Sequence, residues 1–165
     1  NMDQDIDFIV CDMTEKYARD ISTWRYPSPY ENYSFAGNEA EFLDIMNGLH
    51  FAVVNRCNNE LSGFVALGPS AQIRIGKNGK IYDDESYTDI AFGLRPDLCG
   101  KGIGKYLVLA AIEFAKQHFP DDGIRLTAEA DNLRAVKLYT KMGLKKVKTL
   151  KKGLFGKKLI VMTLE

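Results

Sequence analysis

Three glycines stand within five positions of the stretch CGKGIGK, Cys99–Lys105, just ahead of an apolar run. Glycine at that density costs chain entropy, so bare backbone must be needed there. Free N–H groups converging where a helix begins make a site for an anion, above all a phosphate. Two nucleotide schemes fit the spacing poorly. The ATP/GTP loop needs four residues between its first glycine and its Gly-Lys pair, then Ser or Thr. Here Gly100 and Gly104 enclose three residues, and Tyr106 takes the hydroxyl position. The dinucleotide fingerprint needs G-x-G-x-x-G directly after its strand. This chain has G-x-G-x-G, with RPDLC between strand and loop.

About thirty residues further on, RLTAEADNLRAVKLYTKMGL places Asn132 and Tyr139 seven apart. Seven helical steps of 100° bring them within about 20° of one face. Ala135 near that face leaves room for a ligand. Taken alone, Tyr139 reads as an amphipathic core tyrosine. Cys99 offers a rival chemistry, since a helix N-terminus lowers a thiol's pKa and makes it a nucleophile. The only histidines, His50 and His118, are distant from it in sequence. Upstream, WRYPSPYENYSF gathers Trp24, Tyr26, Tyr30 and Tyr33 around Glu31. Such a group suits a pocket for a cationic amine, or else the rings cover the core of a sheet.

These residues need elements to hold them. DFIVCDM (7–13) alternates as a first strand, and TEKYARDISTW (14–24) follows as a helix with a Thr cap. Two prolines then interrupt, and NEAEFLDIMNGL (38–49) reads as a helix capped by Asn38. FAVVNR and LSGFVAL, joined by CNNE, read as a β-hairpin. QIRIGKNGKIYDDES contains an Asn-Gly turn that suits a small extra hairpin. YTDIAFGL (87–94) is apolar enough for a central strand. In IGKYLVLAAIEFAKQHF the residues Ile103, Leu107, Ala110, Ala111, Phe114 and Ala115 keep helical spacing, and Val108, Leu109 and Ile112 widen the stripe. IRLTAEA (124–130) is a strand, a helix runs from about Asn132 to Met142, and Gly143 stands as its C-terminal cap. A last hairpin closes the chain through KKGLFG. Strands and helices mix without strict alternation, which favours an α/β fold with a mixed sheet and helices on both faces.

A chain of 165 residues with 45% apolar and 27% charged residues suits a single domain over 1–165. No apolar run approaches the roughly 20 residues a membrane span needs. The acidic opening NMDQDIDF is no secretory signal, so the cytoplasm is the expected location. Cys11, Cys57 and Cys99 give neither a disulfide framework nor zinc spacing, and no metal is expected. The zero net charge hides an asymmetry. Residues 1–50 hold 3 Lys+Arg against 10 Asp+Glu, whereas residues 133–165 hold 10 against 1. Either solvated faces differ in sign, or an anionic ligand sits toward the C-terminal half and a cationic one toward the N-terminal half. Basic runs are not interleaved with aromatics in the manner of nucleic-acid binders.

AFGLRPDLCGKGIGKYL resembles the acyl-coenzyme A loop of the GNAT superfamily of N-acetyltransferases, in which hydrophobic-x-Pro ends a strand and Arg/Gln-x-x-Gly-x-Gly/Ala opens a helix. Leu94-Arg95-Pro96 and Gly102-Ile103-Gly104 match, while Cys99 takes the usual Arg/Gln position. DNLRAVKLYTKMGL resembles the same superfamily's Asn-x-x-Ala-x-x-x-Tyr-x-x-x-Gly-Phe element, with Leu144 where Phe is usual. The likeness is strongest from about Tyr87 to Leu144, and reaches toward ribosomal-protein-alanine and other amine acetyltransferases. It implies a mostly antiparallel sheet splayed at the cofactor site, an acceptor-side half over 6–86 and an acetyl-CoA-binding half over 87–165. It further implies that acetyl-CoA is held by Phe92, Gly93, Leu94, Cys99, Gly100, Lys101, Gly102, Ile103, Gly104, Lys105, Asn132 and Tyr139. The Leu94 N–H would receive the developing oxyanion and Tyr139 would protonate the departing thiolate. Trp24, Tyr26, Tyr30, Glu31 and Tyr33 would line the acceptor side. One branch of the family has a glutamate base where this chain has Thr127, so the base is left among Glu129, Asp89, Glu85, Glu31 and a water chain. The implied partners are a small-molecule or protein amine, with a homodimer among the options and neither nucleic acid nor membrane. A non-catalytic acyl-CoA-binding module and a nucleotide-binding protein stand as alternatives.

Overall fold

The computed structural model describes residues 5–73, 80–151 and 156–165. The chain runs through strand β1 (Phe8–Asp12), helices α1 (Glu15–Ile21) and α2 (Glu39–Ile45), and strands β2 (His50–Asn55), β3 (Glu60–Leu67) and β4 (Tyr87–Leu94). Helix α3 (Gly104–His118), strand β5 (Gly123–Glu129), helix α4 (Leu133–Lys141) and strands β6 (Lys145–Lys151) and β7 (Lys158–Leu164) complete it. The seven strands lie in the order β1-β2-β3-β4-β5-β7-β6. The β1–β2, β2–β3, β5–β7 and β6–β7 ladders are antiparallel, and β4–β5 is parallel. This is the mixed, mostly antiparallel sheet that the sequence implies. Its splay is visible in the register. The β4–β5 ladder holds three pairs, Tyr87↔Gly123 to Asp89↔Arg125, although β4 runs on to Leu94 and β5 to Glu129.

The chain gathers into two compact units, one formed by the chain up to Ala66 with Phe92–Ala111, the other by Leu67–Ala91 with Ile112–Glu165. In the first, Ala18 and Ile21 from α1 and Phe42 and Ile45 from α2 bury around Trp24, with Tyr26, Phe35 and Phe64 packed against them. Thr14 caps α1 by accepting from the Tyr17 N–H, and Asn38 caps α2 by accepting from that of Glu41. Both helices stop before the sequence reading had them end. Ser22 and Thr23 donate their hydroxyls to the carbonyls of Arg19 and Asp20, which closes α1 at Ile21 rather than Trp24. Helix α2 ends at Ile45, two residues before Asn47 and the left-handed Gly48 (φ 89°).

In the second unit, Leu150, Leu159 and Val161 bury with Ile73, Ile81 and Tyr82 against them. Helix α4 ends in a Schellman turn: the Leu144 N–H reaches the Tyr139 carbonyl and Gly143, at φ 98°, reaches Thr140. Leu109 of α3, expected within the buried stripe, is 47% exposed, because the stripe closes at Val108 and Ile112. The Asn-Gly turn and most of KKGLFG fall outside the described residues.

Candidate active site

Two glycines set the end of β4. The Gly93 carbonyl oxygen lies on the β3 side, 2.7 Å from where a Cβ on Gly63 would stand. The Arg95 N–H donates to the Ser62 carbonyl of β3 at 2.8 Å. Residues 93 and 95 therefore face β3, and in extended chain the residue between them faces away. The Leu94 N–H, trans to the Gly93 carbonyl in one planar peptide, points away from β3. That is the edge along which the β5 ladder has already ended. The Leu94 carbonyl, on the same edge, accepts a 2.6 Å bond from the Tyr26 hydroxyl. The Cys99 Sγ lies 3.8 Å from this oxygen and 3.6 Å from that of Arg95. Burial pushes the Tyr26 phenol well above its usual range, and the nearness of Cys99 pushes it the same way. Leu94, Cys99 and Tyr26, placed by the sequence reading on opposite sides of the reaction, thus meet at one strand end.

Arg95 secures that end from outside. Its guanidinium donates to the Leu61 carbonyl at 2.8 Å and forks onto Asp97 at 2.6 and 3.1 Å. The Arg95 hydrogen bond holds the Asp97 carboxyl below its usual range, with burial opposing. Pro96–Leu98 then turn once as a short 3₁₀ segment before the loop.

In the loop, Gly100 and Gly102 sit at φ 75° and 77°, where side chains are disfavoured. Among the described residues beyond its immediate neighbours, no heavy atom lies within 4 Å of a Cβ built on Gly102, so one side of the loop is open there. Ile103 is fully buried and anchors the loop as α3 begins at Gly104. The first turn of α3 carries no acidic residue, and Lys101 and Lys105 are exposed. Left-handed glycines, an open face and a cationic helix start suit an anionic group such as a diphosphate.

In the second unit, Asn132 is the N-cap of α4 rather than a residue within it, and its Oδ1 accepts from the Ala135 N–H at 3.4 Å. Ala135, Val136, Leu138 and Tyr139 form the half-buried side of this helix. The Thr127 Oγ1 lies 3.0 Å from the Tyr82 hydroxyl, which also accepts from the Ile73 N–H at 3.0 Å. Tyr82 carried no signal in the sequence; it lies in a short helical turn before β4, and only the fold brings it to β5. Of the carboxylates weighed as a base, Asp89 is the buried counter-ion of Arg125, bonded at 2.7 and 2.9 Å and also accepting from Gln72. Glu129 accepts from the Lys157 ammonium at 3.1 Å. Glu85 and Glu31 are exposed.

On the acceptor side, Trp24 is 7% exposed and belongs to the core of its unit. Tyr30 and Tyr33 pair with ring centroids 6.3 Å apart, flanking Glu31 in a single 3₁₀ turn. Among the described residues no His, Cys, Asp and Glu group could hold a metal ion, and no helix is long and apolar enough to cross a membrane.

Residues 17–144 match the profile of the Acetyltransferase (GNAT) family. Among curated proteins none matches the sequence. Among solved structures, a chimera of spermidine N-acetyltransferase SpeG from Vibrio cholerae with hSSAT superposes at TM-score 0.71 and 20% identity, covering 95% of this chain and 94% of that one. A GNAT-family acetyltransferase from Bacillus anthracis superposes at TM-score 0.70 and 15% identity, covering 96% of each. The V. cholerae spermidine N-acetyltransferase, in a dodecameric structure, gives 0.64 and 19%, covering 98% and 94%. At such identities the likeness is one of fold. The family profile spans most of the chain, so the chain belongs to the Acetyltransferase (GNAT) family.

Proposed function

We propose that the protein moves an acetyl group from acetyl-CoA to a primary amine by direct attack of the amine on the thioester. The observation that carries this reading is the end of β4, where alternation against β3 turns the Leu94 N–H to the splayed edge. A backbone donor already aimed stabilises developing oxyanion charge without reorganising. Gly100–Lys105 and Asn132, with the β4 residues Phe92–Leu94, are the groups that would hold the coenzyme A moiety. Tyr139, on the half-buried side of α4, is the general acid whose phenol would supply the leaving thiolate with a proton. Tyr26, Tyr30, Glu31 and Tyr33 form the acceptor side, with Trp24 as core support.

The acidic N-terminal third favours a cationic amine, and polyamines are the first to test because two of the solved relatives are spermidine N-acetyltransferases. The cytoplasm and a homodimer accompany this reading as proposals. A non-catalytic acyl-CoA-binding module keeps one observation in its favour: the position of the family glutamate is a Thr127 hydroxyl bonded to Tyr82.

Calorimetric titration with coenzyme A and thiol release across an amine panel test the proposal together. Binding and release are expected; binding without release on any amine selects the binding module, and no binding removes both. Tyr139→Phe should slow turnover by about 10²-fold with little loss of coenzyme A affinity. Unchanged turnover would take Tyr139 out of the mechanism.

A further inference from the structure

We infer that Tyr26 is a positioning residue for the oxyanion donor, its hydroxyl fixing the Leu94 peptide so that the Leu94 N–H keeps its aim. The inference rests on the proposed role of that N–H, and goes beyond a place for Tyr26 in the acceptor pocket. In the last residues of a strand that has lost one neighbour, the backbone is held on one side only. Arg95 bonds β3 through its N–H and through its guanidinium, so that side is secured. On the open side Leu94 presents its N–H and its carbonyl together. A 2.6 Å bond to the carbonyl fixes the Leu94 dihedrals, and through them the direction of the neighbouring N–H. The bond spares the N–H itself.

Tyr26 is equipped for this. Its ring packs against the cluster of Trp24, Ile21 and Phe42, and its own N–H donates to Ser34 Oγ at 2.8 Å. Ring and backbone are both fixed, so the hydroxyl is a rigid strut reaching across 68 residues of sequence. The same bond polarises the peptide linking Leu94 and Arg95, and so strengthens the Arg95 N–H bond to Ser62. The Cys99 thiol, facing the same carbonyl from the loop, cannot replace the phenol at 3.8 Å.

The test is Tyr26→Phe, which keeps the ring, with Ser34→Ala as a milder variant that loosens Tyr26 from its backbone. In wild-type enzyme that transfers acetyl to its best amine, Tyr26→Phe should lower kcat about tenfold and leave the KM for acetyl-CoA within about twofold. This is a fraction of the 10²–10³ lost when an oxyanion donor is removed outright. Ser34→Ala should move kcat in the same direction by less. The ¹⁵N resonance of the Arg95 amide, whose peptide carries the Leu94 carbonyl, should shift in both variants. A shifted resonance with unchanged kcat overturns the positioning role and leaves the acetyltransferase reading standing. An unshifted resonance overturns the strut itself. A rise in KM with unchanged kcat would mean Tyr26 only binds substrate, and also overturns it. A wild-type protein without acetyl transfer would bring down the underlying reading, and this inference with it.

Discussion

A donor that meets its charge only in the transition state has to be aimed by bonds that do not consume it. In the proposed reaction the Leu94 N–H would be aimed in this way through its neighbours: Gly93 and Arg95 face β3, and Tyr26 takes the carbonyl. Elsewhere a titrating side chain ties the fold's stability to pH near neutrality. Burial holds His50, at the start of β2, below its ordinary value of 6.5, with Asp44 opposing. The folded state therefore resists a proton that the unfolded chain accepts near pH 6.5. The contribution of His50 is complete above that pH and is lost as pH falls below it toward the lowered folded value. Urea denaturation at pH 7.5 and 5.5 should show wild type losing more stability than His50→Gln; equal losses would exclude His50 as the cause. At this scale the left-handed glycines of the loop and the place of Tyr139 on a helix were legible, because glycine spacing and helical period are local. The Tyr26–Leu94 and Asp89–Arg125 bonds were not, because strand register and chain return create them across 68 and 36 residues.

At the scale of elements, close approach governs the site. A Cβ on Gly63 would stand 2.7 Å from a backbone oxygen that has no rotamer to escape into. Gly63→Ala should cost about 1–3 kcal/mol in chemical denaturation and lower acetyl transfer, since relief requires moving β4. A stable variant with full activity would show that the strand end tolerates displacement. The strands, all four helices and the Gly143 cap were readable from period and turn residues. The ends of α1 and α2 were not, because Ser22 and Thr23 turn their hydroxyls onto helix carbonyls only once a helix exists. Asn132 shows the same limit: spacing put it on the helix face, whereas its side chain starts the helix.

Across the molecule the charge asymmetry lies partly on a sheet edge. Strand β6 is terminal in the sheet and carries exposed Lys145, Lys146, Lys148 and Lys151. Its register shifts around Val147, a bulge that with the lysines guards this edge, unpaired among the described residues, against adding another strand. The two compact units have a consequence for handling the protein. The chain passes between them after Ala66, Ala91 and Ala111, and these points fall inside β3, β4 and α3. A protease needs locally unfolded backbone, and at these crossings it meets hydrogen-bonded strand and helix instead of a linker. Limited digestion with proteinase K, which has little sequence preference, followed by intact-mass measurement should therefore yield no fragment ending near residues 66, 91 or 111. Such a fragment would show that one of these elements opens on its own. Neither unit is a contiguous piece of the gene, so no pair of truncation points yields either one alone.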